Sequence, residues 1–247
     1  MSDSRTVTIP DLVAHCPFPL RTSRHRASVA TASIRWLLHH GGAGLSGSPT
    51  ALHGLKAGRL AAQCYPIAGA PQLRVCCDFL AYLFHLDDLS DGMDDRSTRA
   101  VADAVLNALH HPHTVGEGRL GRMATELRLL LPTLLPVSPI HSLPPFHSYW
   151  RRLARTASPG TQARFIETVD LFFQAVSQQA RDRALGVVPD LESYIELRRD
   201  TSGCKPCWAL IEYANNLDIP DEVMQHPVVQ SLGQAVNDLV TWSNVRA

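Results

Sequence analysis

The sequence predicts an all-α fold, a bundle of helices, on three observations. Apolar residues recur at spacings of three and four along most of the chain, the period of one helix face. The strict alternation of a half-buried strand is nearly absent. Prolines and glycines stand mostly between the periodic stretches, where helices stop, rather than inside them. No internal repeat or long low-complexity segment divides the chain, and its 247 residues can bury a large core as one unit. A single α-helical domain over residues 1–247 is therefore expected.

Taken in order, residues 1–26 read as an irregular segment that Pro10, Pro17 and Pro19 keep extended. A helix follows over about 27–40 and is ended by Gly41-Gly42, and the glycine- and serine-rich residues 41–49 form a loop. Helical patterns occupy roughly 50–63, 71–87 and 97–110, then 117–131 and 140–156. Within 71–87, Leu73, Cys76, Leu80, Phe84 and Asp87 share one face. The long pattern over 161–184 carries Phe165, Ile166, Val169, Phe172, Phe173 and Val176, a broad stripe that reads as core. Helices over 190–199 and 204–215 are separated by Gly203, a poor helix residue, and a last helix fits 228–244.

Composition narrows the function classes. Lys and Arg number 23 and so do Asp and Glu, so no basic footprint argues for nucleic acid. The opening residues MSDSRTVTIPD lack the apolar stretch of a signal peptide. The most apolar run, LRLLLPTLLPV over 127–137, is short and broken by Pro132 and Pro136, so no membrane span is expected. A soluble, cytoplasmic protein follows from these features, while its oligomeric state is not legible. Six cysteines (Cys16, Cys64, Cys76, Cys77, Cys204 and Cys207) do not read as a disulfide framework without a secretion signal. Cys204-Lys-Pro-Cys207 has the spacing of a redox or zinc half-site but lacks a second pair. His110, His111 and His113, around Pro112, read as an exposed turn.

Chemistry concentrates in two places. In YLFHLDDLSDGMDD, Asp87, Asp88, Asp91, Asp94 and Asp95 follow directly on the apolar stripe. Like charges three and four residues apart repel, and a helix C-terminus is the wrong end for anions. The stretch is either a solvated acidic turn or a site for a hard divalent cation with oxygen ligands. In YIELRRDTSGCKPCWALIEYA, Arg198 and Arg199 end one helical pattern before Asp200, Thr201, Ser202 and Gly203. That arrangement is either a capped helix end or an anion site, where guanidinium forks and free backbone groups converge on phosphate. Cation ligands and phosphate-binding arginines on one helical bundle together suggest a metal-diphosphate pocket.

With both constellations in place, the chain resembles a class I terpene synthase of the fungal sesquiterpene synthase type over nearly its whole length. Asp87-Asp88-Leu89-Ser90-Asp91 matches the DDxxD motif. Arg198 matches the diphosphate-sensing arginine, with Thr201 and Ser202 in the linker and effector positions that follow. The opening IPDLVAHCPFPLRTSRHR is similar to the N-terminal segment of fungal members. The resemblance implies a class I terpene synthase-like bundle, incomplete at its C-terminus. It implies Mg²⁺ held by Asp87, Asp88 and Asp91, and an allylic diphosphate, farnesyl diphosphate, bound by Arg198 and Arg199 with Thr201 and Ser202. The metal-dependent reaction would be ionisation, cyclisation and release of diphosphate. Phe84 and Trp208 are candidates for the cavity lining, and both also fit a plain core role.

A third family motif, Asn-Asp-x-x-Ser/Thr-x-x-x-Glu, supplies ligands of a further metal ion. Here AVNDLVTWSNVRA allows two alignments. Asn237, Asp238 and Thr241 match in one, with Val245 at the glutamate position. In the other, Asn244 is the first residue and the remainder lies past Ala247. The 46 positions from Arg198 to Asn244 suit the family's spacing better than the 39 to Asn237. Asp238 also matches an aspartate that family members often carry six positions before that asparagine. Either alignment leaves out the glutamate, so the expectation is a truncated chain, and the alternative reading is a catalytically inactive one. A prenyl-elongating enzyme fits less well, since no second aspartate-rich motif appears late in the chain.

Overall fold

The structure, a computed structural model, describes residues 16–40, 56–90, 93–111 and 143–244, with single positions at 11, 14 and 54. The side chains of residues 39, 40, 88–90 and 143–147 fall outside that description. Among the described residues there are ten helices and no strand. They are α1 (Arg26–His40), α2 (Ala57–Cys64), α3 (Ala70–Ser90), α4 (Asp95–His110), α5 (Leu143–Ala154), α6 (Pro159–Leu185), α7 (Leu191–Thr201), α8 (Cys204–Asn215), α9 (Asp221–Met224) and α10 (Pro227–Ser243). The helix expected over 117–131, the loop over 41–49 and the apolar run over 127–137 lie outside the described residues. The four-residue α9, which starts directly after Pro220, is too short to show a periodic face and is not foreseen by the sequence pattern.

α3 is the axis of the bundle, with α1, α2, α5 and α8 all packed against it. Residues 75–82 are buried without interruption, so the stripe read from the sequence is one face of a helix enclosed on every side. Val75, Phe79 and Tyr82 are core as well. Enclosure ends toward the helix C-terminus: Leu73, Cys76 and Leu80 are buried, Phe84 is half-buried, and Asp87 is exposed. The stripe therefore leads from the core out to the surface at its acidic end.

A helix enclosed this way must neutralise its own charge. Asp78 is 0% exposed and accepts from Arg74 Nε at 2.8 and 2.9 Å, while Nη1 of Arg152 in α5 also donates to its Oδ2. Arg152 also lies over the Trp36 ring, 5.1 Å from its centroid. Around this tie, Phe79, Tyr149, Trp150 and Phe165 meet with ring centroids 5.1 to 5.9 Å apart. The Trp150 indole donates to the Leu109 carbonyl at 3.0 Å and joins α4 to the cluster.

α6 starts at Ser158, whose hydroxyl accepts from the Thr161 N–H at 3.2 Å, with Pro159 at its first position. Its buried face carries Phe165, Val169, Phe172, Phe173 and Val176, the stripe seen in the sequence. Arg164 forks onto the buried Glu212 of α8 at 2.9 and 2.7 Å. α10, by contrast, buries only Asn237 and Thr241, and packs on α7, α8 and α9. Among the described residues no helix is long and apolar enough to cross a membrane.

Candidate functional site

The aspartate run divides in two. Asp94 is the N-cap of α4, where its carboxylate accepts from the Ser97 N–H at 2.8 Å, and the hydrogen bonds from Ser97 hold it below the usual carboxylate range. Asp95 pairs with Arg99 one turn on. Both are therefore explained by the start of α4. Asp87 stands at the exposed end of the α3 stripe. The side chain of Asp88 and the whole of Asp91 lie outside the described residues. Among the described residues no three His, Cys, Asp or Glu side chains could hold a metal ion together.

α7 presents the second constellation. Asp190 caps its start, accepting from the Ser193 N–H at 2.8 Å. Arg198 and Arg199 occupy its last turn, the end where cations favour the helix dipole. Ser202 closes the helix: its N–H donates to the Arg198 carbonyl at 3.1 Å and its hydroxyl to the Arg199 carbonyl at 3.0 Å. The same hydroxyl accepts from the Cys204 N–H at 3.3 Å and so joins the end of α7 to the start of α8. Lys205 and Asp200 form an ion pair across the same break. Thr201 beside them is half-buried.

Gly203 makes the break possible, at φ 67° and ψ 10°. A Cβ at this position would sit 3.1 Å from Leu83 Cδ2. Leu83 precedes Asp87 by four residues, one helical turn on the same face of α3. The break that follows the arginines is thus packed against α3 one turn before its acidic end.

The two arginines have different partners. Arg199 donates through Nε and Nη2 to the two carboxylate oxygens of Asp238, both at 2.7 Å. Gln234, in the amide orientation that satisfies both groups, accepts from Arg199 Nη1 at 2.6 Å. The Arg199 carbonyl accepts from Asn237 Nδ2 at 3.1 Å, and Asn237 Oδ1 accepts from the Trp208 indole at 3.3 Å. Arg199, read from the sequence as a diphosphate contact, is thereby bound into the junction of α7, α8 and α10. Successive helix residues point in different directions, so an adjacent pair cannot address one target equally. Arg198 is half-buried, and its guanidinium makes no hydrogen bond or ion pair among the described residues.

Asn237 is buried and spends both amide atoms inside the protein, whereas Asn244 is the exposed C-cap of α10. Val245 lies outside the described residues. Phe84 packs at the edge of the core. The six cysteines are free thiols, and His110 and His111 are exposed, while His113 lies outside the described residues. The Asp238–Arg199 pair is not visible as an interaction in the sequence, where only the spacing of Asp238 from Asn244 stands out.

Known proteins similar to this chain share one chemistry in their names. The family model Terpene synthase family 2, C-terminal metal binding, matches residues 78–244, more than half of the chain. Sesquiterpene synthase Agr1 of Cyclocybe aegerita is 57% identical over 241 residues, covering 97% of this chain and 63% of that protein. Alpha-muurolene synthase of Coprinopsis cinerea is 49% identical over 236 residues, covering 96% of this chain and 52% of that protein. The chain thus spans less than two-thirds of the length of these curated relatives. In fold it is similar to the crystal structure of germacradien-4-ol synthase from Streptomyces citricolor, with a TM-score of 0.74 at 23% identity over 93% of this chain and 71% of that one.

Proposed function

Because this chain belongs to terpene synthase family 2, whose matched region is a metal-binding one, we propose that it is a sesquiterpene synthase-type enzyme. Its substrate would be farnesyl diphosphate, ionised to release diphosphate and then cyclised. The observation that supports this reading best is the packing of Gly203, which follows the arginines, on Leu83 of α3, one turn before Asp87. The donor chemistry fits a hard cation, since the sequence puts aspartates at a helix C-terminus, where the dipole disfavours anions. Asp87, Asp88 and Asp91, with Asn244, would hold Mg²⁺. When bound, the ion supplies Lewis-acid neutralisation of the diphosphate.

The chain's own residues do the rest. Arg198 offers a guanidinium that no described carboxylate occupies, suited to diphosphate oxygens. Arg199 acts as a positioning residue, fixing the last turn of α7 through Asp238. Ser202 sets the path of the backbone behind both arginines through its cap. Phe84, half-buried between the core and Asp87, lies on the apolar side where a hydrocarbon chain would exclude water.

The test is the purified chain with farnesyl diphosphate and Mg²⁺, reading diphosphate release and volatile products. Asp87→Asn and Arg198→Ala are each expected to lower kcat/KM by roughly 100-fold or more while keeping the helical content of the parent. Release at the parental rate by both folded variants would sink the reading. A folded parent chain that binds farnesyl diphosphate and releases nothing would favour the catalytically silent alternative.

A further inference from the structure

Three thiols gather at the break between α7 and α8, and the proposed reaction uses none of them. Cys204 is the first residue of α8, Cys207 lies one turn on, and Cys64 ends α2. All are free; Cys204 and Cys207 are half-buried, and Cys207 packs against the core. The hydroxyl of Tyr65, next in the chain to Cys64, donates to the Cys207 carbonyl at 2.9 Å and ties the end of α2 to the same break. Among the described residues no such trio is close enough to hold a metal. Cys204 Sγ lies 3.8 Å from the Ser202 carbonyl oxygen, and Cys207 Sγ lies 3.5 Å from the next one, that of Gly203. The two sulfurs therefore contact adjacent peptide units.

Cβ atoms three residues apart in a helix are about 5–6 Å apart, against about 3.5–4.5 Å in a disulfide. The first turn of a helix can close that gap, because its N–H groups have no intrahelical partner to hold them. We propose that Cys204 and Cys207 form a reversible dithiol–disulfide site, oxidised by exchange with a low-molecular-weight disulfide. The Cys204 thiolate attacks the reagent's S–S bond and expels one thiolate. Cys207 gives its proton to that thiolate or to solvent, and its sulfur then displaces the second thiol from Cys204. Two protein thiols lose two electrons and two protons, and the reagent's disulfide gains them as two thiols.

Burial pushes both thiols up, Cys207 the more strongly, while the Ser202 hydrogen bond and the Arg198 charge draw Cys204 back down. Cys204 is therefore the attacking sulfur, and exchange quickens as pH rises above neutral. The closed disulfide would stiffen the break that carries Arg198 and packs on Leu83.

The experiment uses the folded full chain exposed to oxidised glutathione, blocked with iodoacetamide and digested with trypsin. Lys205 precedes Pro206 and resists cleavage, so both cysteines stay in one peptide. That peptide is expected to lose two hydrogens, faster at higher pH, and to regain them with dithiothreitol; Cys204→Ser and Cys207→Ser should each abolish the change. Full alkylation of both cysteines after exposure, or a cross-link from Cys204 to Cys64 in place of Cys207, overturns the proposal. The readout is thiol chemistry, so it stands apart from whether the chain turns over substrate.

Discussion

Arg198 and Arg199 diverge by about 100° around α7 because each helical residue turns the side chain by that angle. One direction meets Asp238 and the other meets no described acid. The sequence shows the pair, but only the placement of α10 shows how it is divided. The carboxyl of Asp238 is held below its ordinary 3.8 chiefly by hydrogen bonds from Arg199. A lowered folded pKa means that the pair contributes fully above that ordinary value and is lost as pH falls through the folded one. Asp238→Asn is therefore expected to destabilise the chain by ~1 kcal/mol near neutral pH, a modest figure because water screens the pair. Thermal denaturation should show a drop of about 2–4 °C that shrinks below about pH 4. A drop that persists unchanged into acid would contradict the assignment.

The break between α7 and α8 is the element on which the proposed site rests. Its existence is legible from Gly203, since glycine inside a helical pattern marks a stop. Its packing on Leu83 is not, because nothing local in sequence says which helix faces it. Gly203→Ala would place a Cβ 3.1 Å from Leu83 Cδ2 at a positive φ, and is expected to cost ~1–3 kcal/mol in denaturant unfolding. If Arg198 depends on that geometry, folded Gly203→Ala protein should also bind diphosphate more weakly. The same split between pattern and context recurs elsewhere. The stripe of α6 marks its buried face, whereas the stripe of α3 understates its burial, because residues 75–82 are enclosed all round. α8 is pinned to α6 by Arg164 and Glu212, the latter 2% exposed. Glu212→Gln leaves Arg164 short of its main partner and is expected to cost ~3 kcal/mol in the same unfolding measurement. A loss within a few tenths of a kcal/mol would show that Asp221 and the Ile219 carbonyl suffice to hold Arg164.

At the scale of the molecule, an enclosed helix carries an apolar path outward to a carboxylate, and a second helix end is packed one turn behind it with a guanidinium to offer. The all-α class was legible throughout, since helix periodicity survives wherever one face meets solvent. The motif residues were legible as chemistry, and their proposed union rests on the packing of the α7–α8 break against α3, which no spacing reveals. That union is the central claim, and a double-mutant cycle on Mg²⁺-dependent binding of inorganic diphosphate by calorimetry tests it most directly. Binding is expected to require Mg²⁺, to weaken by about 10-fold or more in Asp87→Asn and in Arg198→Ala, and to weaken by less than the product of the two in the double variant. Binding indifferent to Mg²⁺, or losses that multiply as if the two residues served separate sites, would contradict it.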